Sequence, residues 1–348
     1  MKSAGRIRTQ EVTLCLLCES PGILFYKKLT DKLFGLPGEW DWLRCPACGL
    51  VWVNPRPILE EMGKLYEQYH THSSDERRHA SSGGLAPLRR VGTQAILAVR
   101  YGYKPLRYSK KAIVLGRLLS MVPSLRDRAG RQVLWLENKP KGRLLEIGSG
   151  NGGFLAQMRA RDWDVVGVEP DPVAIQLARR RLGLNVFQGS VEDAHFGEDS
   201  FEVIVMNNVI EHLGNPLKTL RECARLLRKG GKLVIVTPNI NGLGHRVFRR
   251  AWRGLEPPRH HYLFSPKTLE MAVQSAGLKI ETSRTTATGS LHIWLASLWL
   301  LNQRRPLEDF LESAPRKDRL ESRLFSFIER VLTMVGPFGE ELVIRASK

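Results

Sequence analysis

From Gly142 onward the chain alternates short apolar runs with stretches in which apolar residues recur every three to four positions. Arg143 to Ile147 (RLLEI), Asp164 to Val168, Asn185 to Gln188, Phe201 to Met206 (FEVIVM) and Lys232 to Val236 (KLVIV) read as five buried strands. Gly153 to Arg161, Val173 to Leu182 and Pro216 to Arg228 read as the helices between them. The last of these sets Leu220, Cys223, Ala224 and Leu227 on one face and is closed by Gly230 and Gly231. Thr268 to Ala276 reads as a short helix, and Leu278 to Ser283 and Glu341 to Ala346 (ELVIRA) as a sixth and a seventh strand. Strands and helices in this alternation predict an α/β fold built on a largely parallel sheet.

Two zones precede that domain. Residues 1–75 hold four of the five cysteines, in two CxxC pairs. Residues 76–132 follow a polar linker, Ser73 to Gly84, and read as basic helices such as YSKKAIVLGRLLSMV. The expected division is thus 1–75, 76–132 and 133–348, with a lid-like insertion at about 285–338.

Charge sharpens this picture. The 348 residues carry 53 Lys+Arg against 35 Asp+Glu, a formal +18. Between Arg77 and Arg131 lie 13 of the basic residues and one acid, Asp127, so two thirds of the surplus is regional. A surplus of this size invites a nucleic-acid reading. Within the segment, however, Ile96, Leu97, Val99, Ile113, Val114, Leu115, Leu118 and Leu119 recur at helical spacing, which suits an anionic membrane surface better than a base-stacking groove. A second apolar stretch, Leu291 to Leu301, is 11 residues long. A spanning helix needs about 20, so it reads as a lid or an interface-lying helix. Hydrophobic residues at 43% exclude a disordered or collagen-like chain. Five cysteines are too sparse for a disulfide-stapled scaffold, and Met1 to Gln10 has no apolar leader core. The expected setting is a reducing cytoplasm, with peripheral contact at the inner face of the membrane.

Cys15, Cys18, Cys45 and Cys48 form C-x2-C, 26 residues, C-x2-C. Two intervening residues let both sulfurs of a tight knuckle face one ion, and four thiolates make the closed tetrahedral set of structural Zn2+. A zinc ribbon over about residues 10–55 is the expectation, because so short a segment cannot build an adequate core unaided. Cys223, on the buried face of a helix, reads as core.

Where the first strand should turn into the first helix stands Glu146-Ile147-Gly148-Ser149-Gly150-Asn151-Gly152-Gly153. Glycines let backbone approach a ligand closely, and the helix start favours a negative group. Glu169 ends the second strand, where a carboxylate can accept both hydroxyls of a ribose. These features point to an adenosine-containing cofactor.

The ordered set LLEIGSGNG, VGVEPD, GSVEDAHF, FEVIVMNNVIEHLGNP and LLRKGGKLVIVTPN resembles the motifs of the class I S-adenosylmethionine-dependent methyltransferases. The resemblance implies a Rossmann-like seven-stranded sheet with an antiparallel last strand, S-adenosyl-L-methionine as cofactor, and methyl transfer as the activity. It also implies that Glu146, Gly148, Ser149 and Gly150 line the methionine part of the cofactor, and that Glu169 holds the ribose. Ser190, Val191 and Glu192 would border the adenine, with Ser190 standing where many members have Asp. Asn207 would lie beside the transferring methyl.

Methyl transfer from a sulfonium asks the protein to position the acceptor and, for a hydroxyl, to remove its proton. Asn208 to His212 resembles the segment of ubiquinone-biosynthesis O-methyltransferases that is implicated in Mg2+ binding; Glu211 and His212 match, and Asn208 replaces the first acid. Pro257 to Pro266 resembles the loop after the fifth strand in small-molecule methyltransferases, and implies His260 as a general base. The segment Cys45 to Tyr69 is similar to zinc-ribbon starts found before some bacterial methyltransferases acting on sugars, secondary metabolites or surface glycans. The expected partner is therefore a small-molecule or lipid-linked glycan acceptor, methylated at oxygen. An RNA methyltransferase gripping phosphates with the ribbon and the basic segment is the alternative.

Overall fold

The computed structural model describes residues 7–65, 86–103, 109–138, 141–302 and 307–348. The linker Ser73 to Gly84 and the expected boundary at 75/76 lie outside the described residues. The principal strands are β1 (Ile23–Leu29), β2 (Trp40–Arg44), β3 (Val51–Asn54), β4 (Arg143–Ile147), β5 (Asp164–Glu169), β6 (Val186–Gln188), β7 (Phe201–Asn207), β8 (Leu227–Pro238), β9 (Tyr262–Leu263), β10 (Lys279–Thr286) and β11 (Glu341–Ser347). The principal helices are α1 (Ala86–Tyr101), α2 (Lys110–Ser120), α3 (Pro123–Gln132), α4 (Gly153–Arg159), α5 (Pro172–Leu182), α6 (Pro216–Leu226), α7 (Leu243–Phe248), α8 (Pro266–Ser275), α9 (Ser290–Asn302), α10 (Leu307–Glu312) and α11 (Arg316–Leu332).

A seven-stranded sheet runs in the order β10-β11-β8-β7-β4-β5-β6. β4, β5 and β6 pair in parallel, whereas β11 runs antiparallel to both β8 and β10. This is the Rossmann-like methyltransferase sheet with its reversed last strand. One boundary differs from the sequence reading: α6 stops at Leu226 and β8 begins at Leu227, so Gly230 and Gly231 lie inside a long strand and do not close the helix. Gly230 takes φ 78°, a backbone state that favours glycine.

The chain divides into two compact units, one formed by 1–69, 206–225 and 232–348, the other by 70–205 and 226–231. In the second unit, α1 and α2 pack closely: a Cβ at Gly116 would strike the Ala95 carbonyl. Ile96 and Leu97 are buried there, while Val114, Leu115 and Leu118 stay exposed.

In the first unit the strands that flank the cysteine turns join a four-stranded antiparallel sheet ordered β9-β3-β2-β1. β9 is supplied by the loop after β8, and Tyr262 and Leu263 pair with Trp52 and Val51. The core of this region mixes Leu29, Trp40, Trp42, Val51 and Val53 with Ile240, Phe248, Trp252, Leu255 and Leu263. The ribbon thus completes its core with apolar residues from far along the chain, as a segment of its size requires.

α9, the 291–301 stretch, is a core helix and not an interface-lying one. Leu295, Trp299 and Leu300 pack with Phe310 and Ala314, while Ile293, Trp294 and Leu298 lie against the ribbon core. Neighbours on two sides explain why it carries no charge. No helix among the described residues is long and apolar enough to cross a membrane.

Candidate functional site

In the second unit the glycine turn folds over the end of β5. The Gly148 and Ser149 N–H groups both donate to the Val168 carbonyl, at 2.8 and 3.1 Å. Gly148, Gly150 and Gly152 take φ of 70°, 52° and 81°, and a Cβ at Gly152 would run into Leu184. Glu169 is buried and braces the turn: one carboxylate oxygen accepts from the Gly150 N–H at 2.7 Å, the other from the Asp171 N–H at 3.0 Å.

Glu146 faces the interior beneath this turn and is 4% exposed. Its Oε2 and the Ser149 hydroxyl are buried with no hydrogen-bond partner. Burial, reinforced by the charge of Glu169, pushes the Glu146 pKa well above the usual carboxylate range. Burial raises Glu169 as well, against the two backbone donors. Orphaned buried polar atoms need a partner. Two acids and a hydroxyl at a glycine turn fit the ammonium and ribose hydroxyls of S-adenosylmethionine.

The residues expected at the adenine follow β6 in a tight turn. The exposed Ser190 donates its hydroxyl to Asp193 at 2.6 Å, and its Oγ accepts the Asp193 N–H at 3.2 Å. Val191 is buried and Glu192 half-buried. Ser190 thus shapes the turn.

The acceptor-side candidates lie in the first unit. Asn207 ends β7, and Asn208 takes φ 54° as its N–H donates to the Val236 carbonyl at 2.8 Å. The chain then turns inward, and Glu211, His212 and His260 bring one ligand atom each within 4.8 Å of one another. Glu211 is buried; Thr237 donates to its Oε2 at 2.8 Å and its Oε1 has no partner. Burial lifts its pKa to about 8. His212 Nδ1 lies 3.0 Å from the Arg259 carbonyl and His260 Nδ1 2.8 Å from the Gly254 carbonyl. The two rings meet edge to face with centroids 4.6 Å apart. Burial lowers the pKa of both imidazoles, that of His260 to about 3 despite the nearby Glu256.

Several residues that support this cluster were missed by sequence reasoning. Glu256 is buried, and neighbouring positive charge, that of Arg253 foremost, overcomes the burial and holds it ionised with a pKa of about 2. It pairs with Arg253 and stands 3.6 Å from His260 Nε2. Arg259 is fully buried; it donates to Asp31 at 2.7 Å and to the Leu65 carbonyl at 2.9 Å. Asp31 also accepts the N–H groups of Leu33, Phe34 and Leu36. No local pattern marks a pair separated by 228 positions.

With two imidazoles, one carboxyl and no contribution from Asn208, the Glu211 cluster is poor in the oxygen ligands that Mg2+ prefers. The four cysteines differ. Their sulfurs all lie within 4.8 Å, with Cys15 to Cys48 at 3.5 Å and Cys18 to Cys45 at 3.3 Å. Tetrahedral zinc with sulfurs about 2.3 Å away sets them roughly 3.8 Å apart. The N–H groups of Leu17, Cys48 and Leu50 point at the sulfurs, as around a thiolate-bound ion. The donor set fits Zn2+.

Residues 124–283 match the model of a methyltransferase domain family. The ubiquinone biosynthesis O-methyltransferase of Sinorhizobium fredii is 30% identical over 173 residues, covering 46% of this chain and 68% of that one. Its counterpart in Cereibacter sphaeroides is 37% identical over 148 residues, covering 39% of this chain and 60% of that one. Against several other curated relatives the chain spans about half of their length. A solved S-adenosylmethionine-dependent methyltransferase from Archaeoglobus fulgidus is similar at 17% identity, covering 68% of this chain and 99% of that one with a TM-score of 0.43. With its ordered motifs, its reversed last strand and its 30% identity to the Sinorhizobium fredii enzyme over 68% of that chain, the chain belongs to the class I S-adenosylmethionine-dependent methyltransferases.

Proposed function

We propose that the enzyme methylates an oxygen of a small-molecule, sugar or lipid-linked glycan acceptor. The observation that carries this reading is the surroundings of His260. At rest its buried imidazole is neutral. Once it takes a proton, both ring N–H groups face acceptors already in place, the Gly254 carbonyl and the Glu256 carboxylate. The carbonyl and the carboxylate offset part of the burial that lowers the ring's pKa, as a base for a hydroxyl acceptor requires, since that acceptor must shed a proton as the carbon–oxygen bond forms. His212, held through Nδ1, and Glu211 complete the polar cluster. Glu146, Gly148, Ser149, Gly150 and Glu169 hold the cofactor in this reading, with Ser190, Val191, Glu192 and Asn207 at its border. Zn2+ on the four cysteines keeps the ribbon folded. S-adenosylmethionine with a labelled methyl, given to cell extract with the enzyme, tests it. Label in envelope lipids, glycans or small metabolites is expected; label in RNA alone overturns the reading in favour of the alternative. His260→Ala should bind S-adenosylmethionine normally and lose turnover.

The same reading includes peripheral contact with anionic membrane, and two faces support it. In the second unit Leu88, Val91, Val114, Leu118 and Met121 are exposed among Arg89, Arg90, Lys110, Lys111 and Arg117. In the first, α11 buries Ser322, Phe325, Ser326 and Glu329 and exposes Leu320, Leu324, Phe327, Val331 and, just beyond its end, Met334. At 100° per residue these apolar positions fall in one stripe, with exposed Arg316, Arg323 and Arg330 along its edge. Such a face is suited to lying in an anionic bilayer surface. Flotation with vesicles containing phosphatidylglycerol should carry the protein upward. Equal flotation with neutral vesicles, or none with either, counts against it.

A further inference from the structure

We infer that the first unit carries a separate anion pocket that takes the diphosphate of a diphosphate ester. A cavity of about 500 Å³ is lined by Phe25, Tyr26, Arg44, His245, Arg246 and Arg249, together with short segments of β3 and of the loop after β8. The lining holds three guanidinium groups and no carboxylate. All three act on one imidazole: the positive charges of Arg44, Arg246 and Arg249 add to burial in lowering the His245 pKa to about 4. All three arginines are exposed, so their guanidinium groups are open to an anion arriving from solvent, and no carboxylate in the lining competes for them.

The pocket is organised in advance. Arg44 lies over the Phe25 ring at 5.7 Å, and Arg246 donates Nε to the Asn241 carbonyl at 3.1 Å while lying over Phe338. Tyr26 Oη and His245 Nε2 are 2.9 Å apart. Arg249 takes φ 47° and ψ −112°, a strained backbone for a residue with a side chain. Strain of this kind persists at ligand clamps. Arginine forks match phosphate oxygens in pairs, and three of them match a diphosphate better than a single phosphate. Arg44 and Gly49 flank the second cysteine pair, so the knuckle that sets the ribbon's shape also sets one wall of the cavity.

That the bound diphosphate ester is the methyl acceptor rests on the proposed function; that the pocket binds a diphosphate does not. Calorimetry of the full chain with inorganic pyrophosphate tests the site. The expected result is saturable binding that weakens with salt and falls about tenfold to hundredfold in Arg44→Ala and in Arg246→Ala, with S-adenosylmethionine affinity unchanged. Arg249→Gly separates the pocket from the fold, since glycine relieves the positive φ: it should raise the melting temperature while lowering pyrophosphate affinity. Absence of pyrophosphate binding, or equal binding by all three variants, overturns the inference. Uridine diphosphate and a short prenyl diphosphate, compared as competitors, identify the nucleotide or the lipid source. If pyrophosphate binds and no extract accepts label, the pocket stands and the reading of the acceptor falls.

Discussion

Replacing Glu146 by Gln separates stability from cofactor binding. In the unbound protein this carboxyl is buried with an oxygen that has no partner, and burial together with the Glu169 charge raises its pKa. For an acid raised in this way, the associated stability is fully present below the unfolded-state value of about 4.5 and is lost as pH rises through the folded-state value. An amide of the same shape carries no such loss, so Glu146→Gln should hold its melting temperature, or gain a few degrees, above neutral pH. Binding should move the other way. A cationic ammonium beside the carboxyl favours its ionised form, so the wild-type enzyme should release up to about one proton as S-adenosylmethionine binds. Loss of a charge-assisted hydrogen bond costs about 1.5–3 kcal/mol, which is about tenfold to 150-fold in Kd. Calorimetry in two buffers of different ionisation enthalpy reads both the affinity and the proton. A variant that binds as tightly as wild type, or a wild type that releases no proton, would refute the assignment of Glu146 to the ammonium group.

Three further outcomes are expected. Asp31→Ala strands the buried Arg259 guanidinium and should cost about 3–5 kcal/mol in urea unfolding; a loss below about 1 kcal/mol would mean that the pair does not anchor the His260 loop. Cys45→Ser should bring zinc, measured by plasma mass spectrometry, from about one ion per chain to near none and expose the ribbon to protease; unchanged metal content would remove the ribbon assignment. Glu211, raised to about 8, should make wild-type stability fall as pH rises from about 4.5 through 8, by on the order of a few kcal/mol, and Glu211→Gln should flatten that slope. Parallel pH profiles for the two proteins would show that the carboxyl titrates normally.

The parts of this molecule that were legible in its sequence are those in which one local feature decides the outcome. RLLEI is buried along four of its five positions, so an apolar run interrupted only by Glu146 marks β4 to the residue. The glycine turn declares itself because three positive φ values in five residues favour glycine at each. Legibility fails where two elements of similar apolar content adjoin: Leu226 ends a helix and Leu227 opens a strand, and no period separates them. It fails again where the partner is remote. An uncharged α9 reads equally as a membrane-facing or a doubly packed helix until Trp294 and Trp299 find neighbours on two sides. α11 shows the converse: its amphipathic period is plain, yet periodicity alone does not say which face is buried, and the apolar one lies outside. The same holds at the site. Glu211 and His212 stand together in the chain, but what brings His260 to them is an ion pair between Asp31 and Arg259 across 228 positions, and a two-residue strand added to the ribbon sheet. The ribbon therefore bears on the candidate site through packing: it fixes the loop that carries the candidate base, which gives a small four-cysteine module a reason to precede a methyltransferase fold.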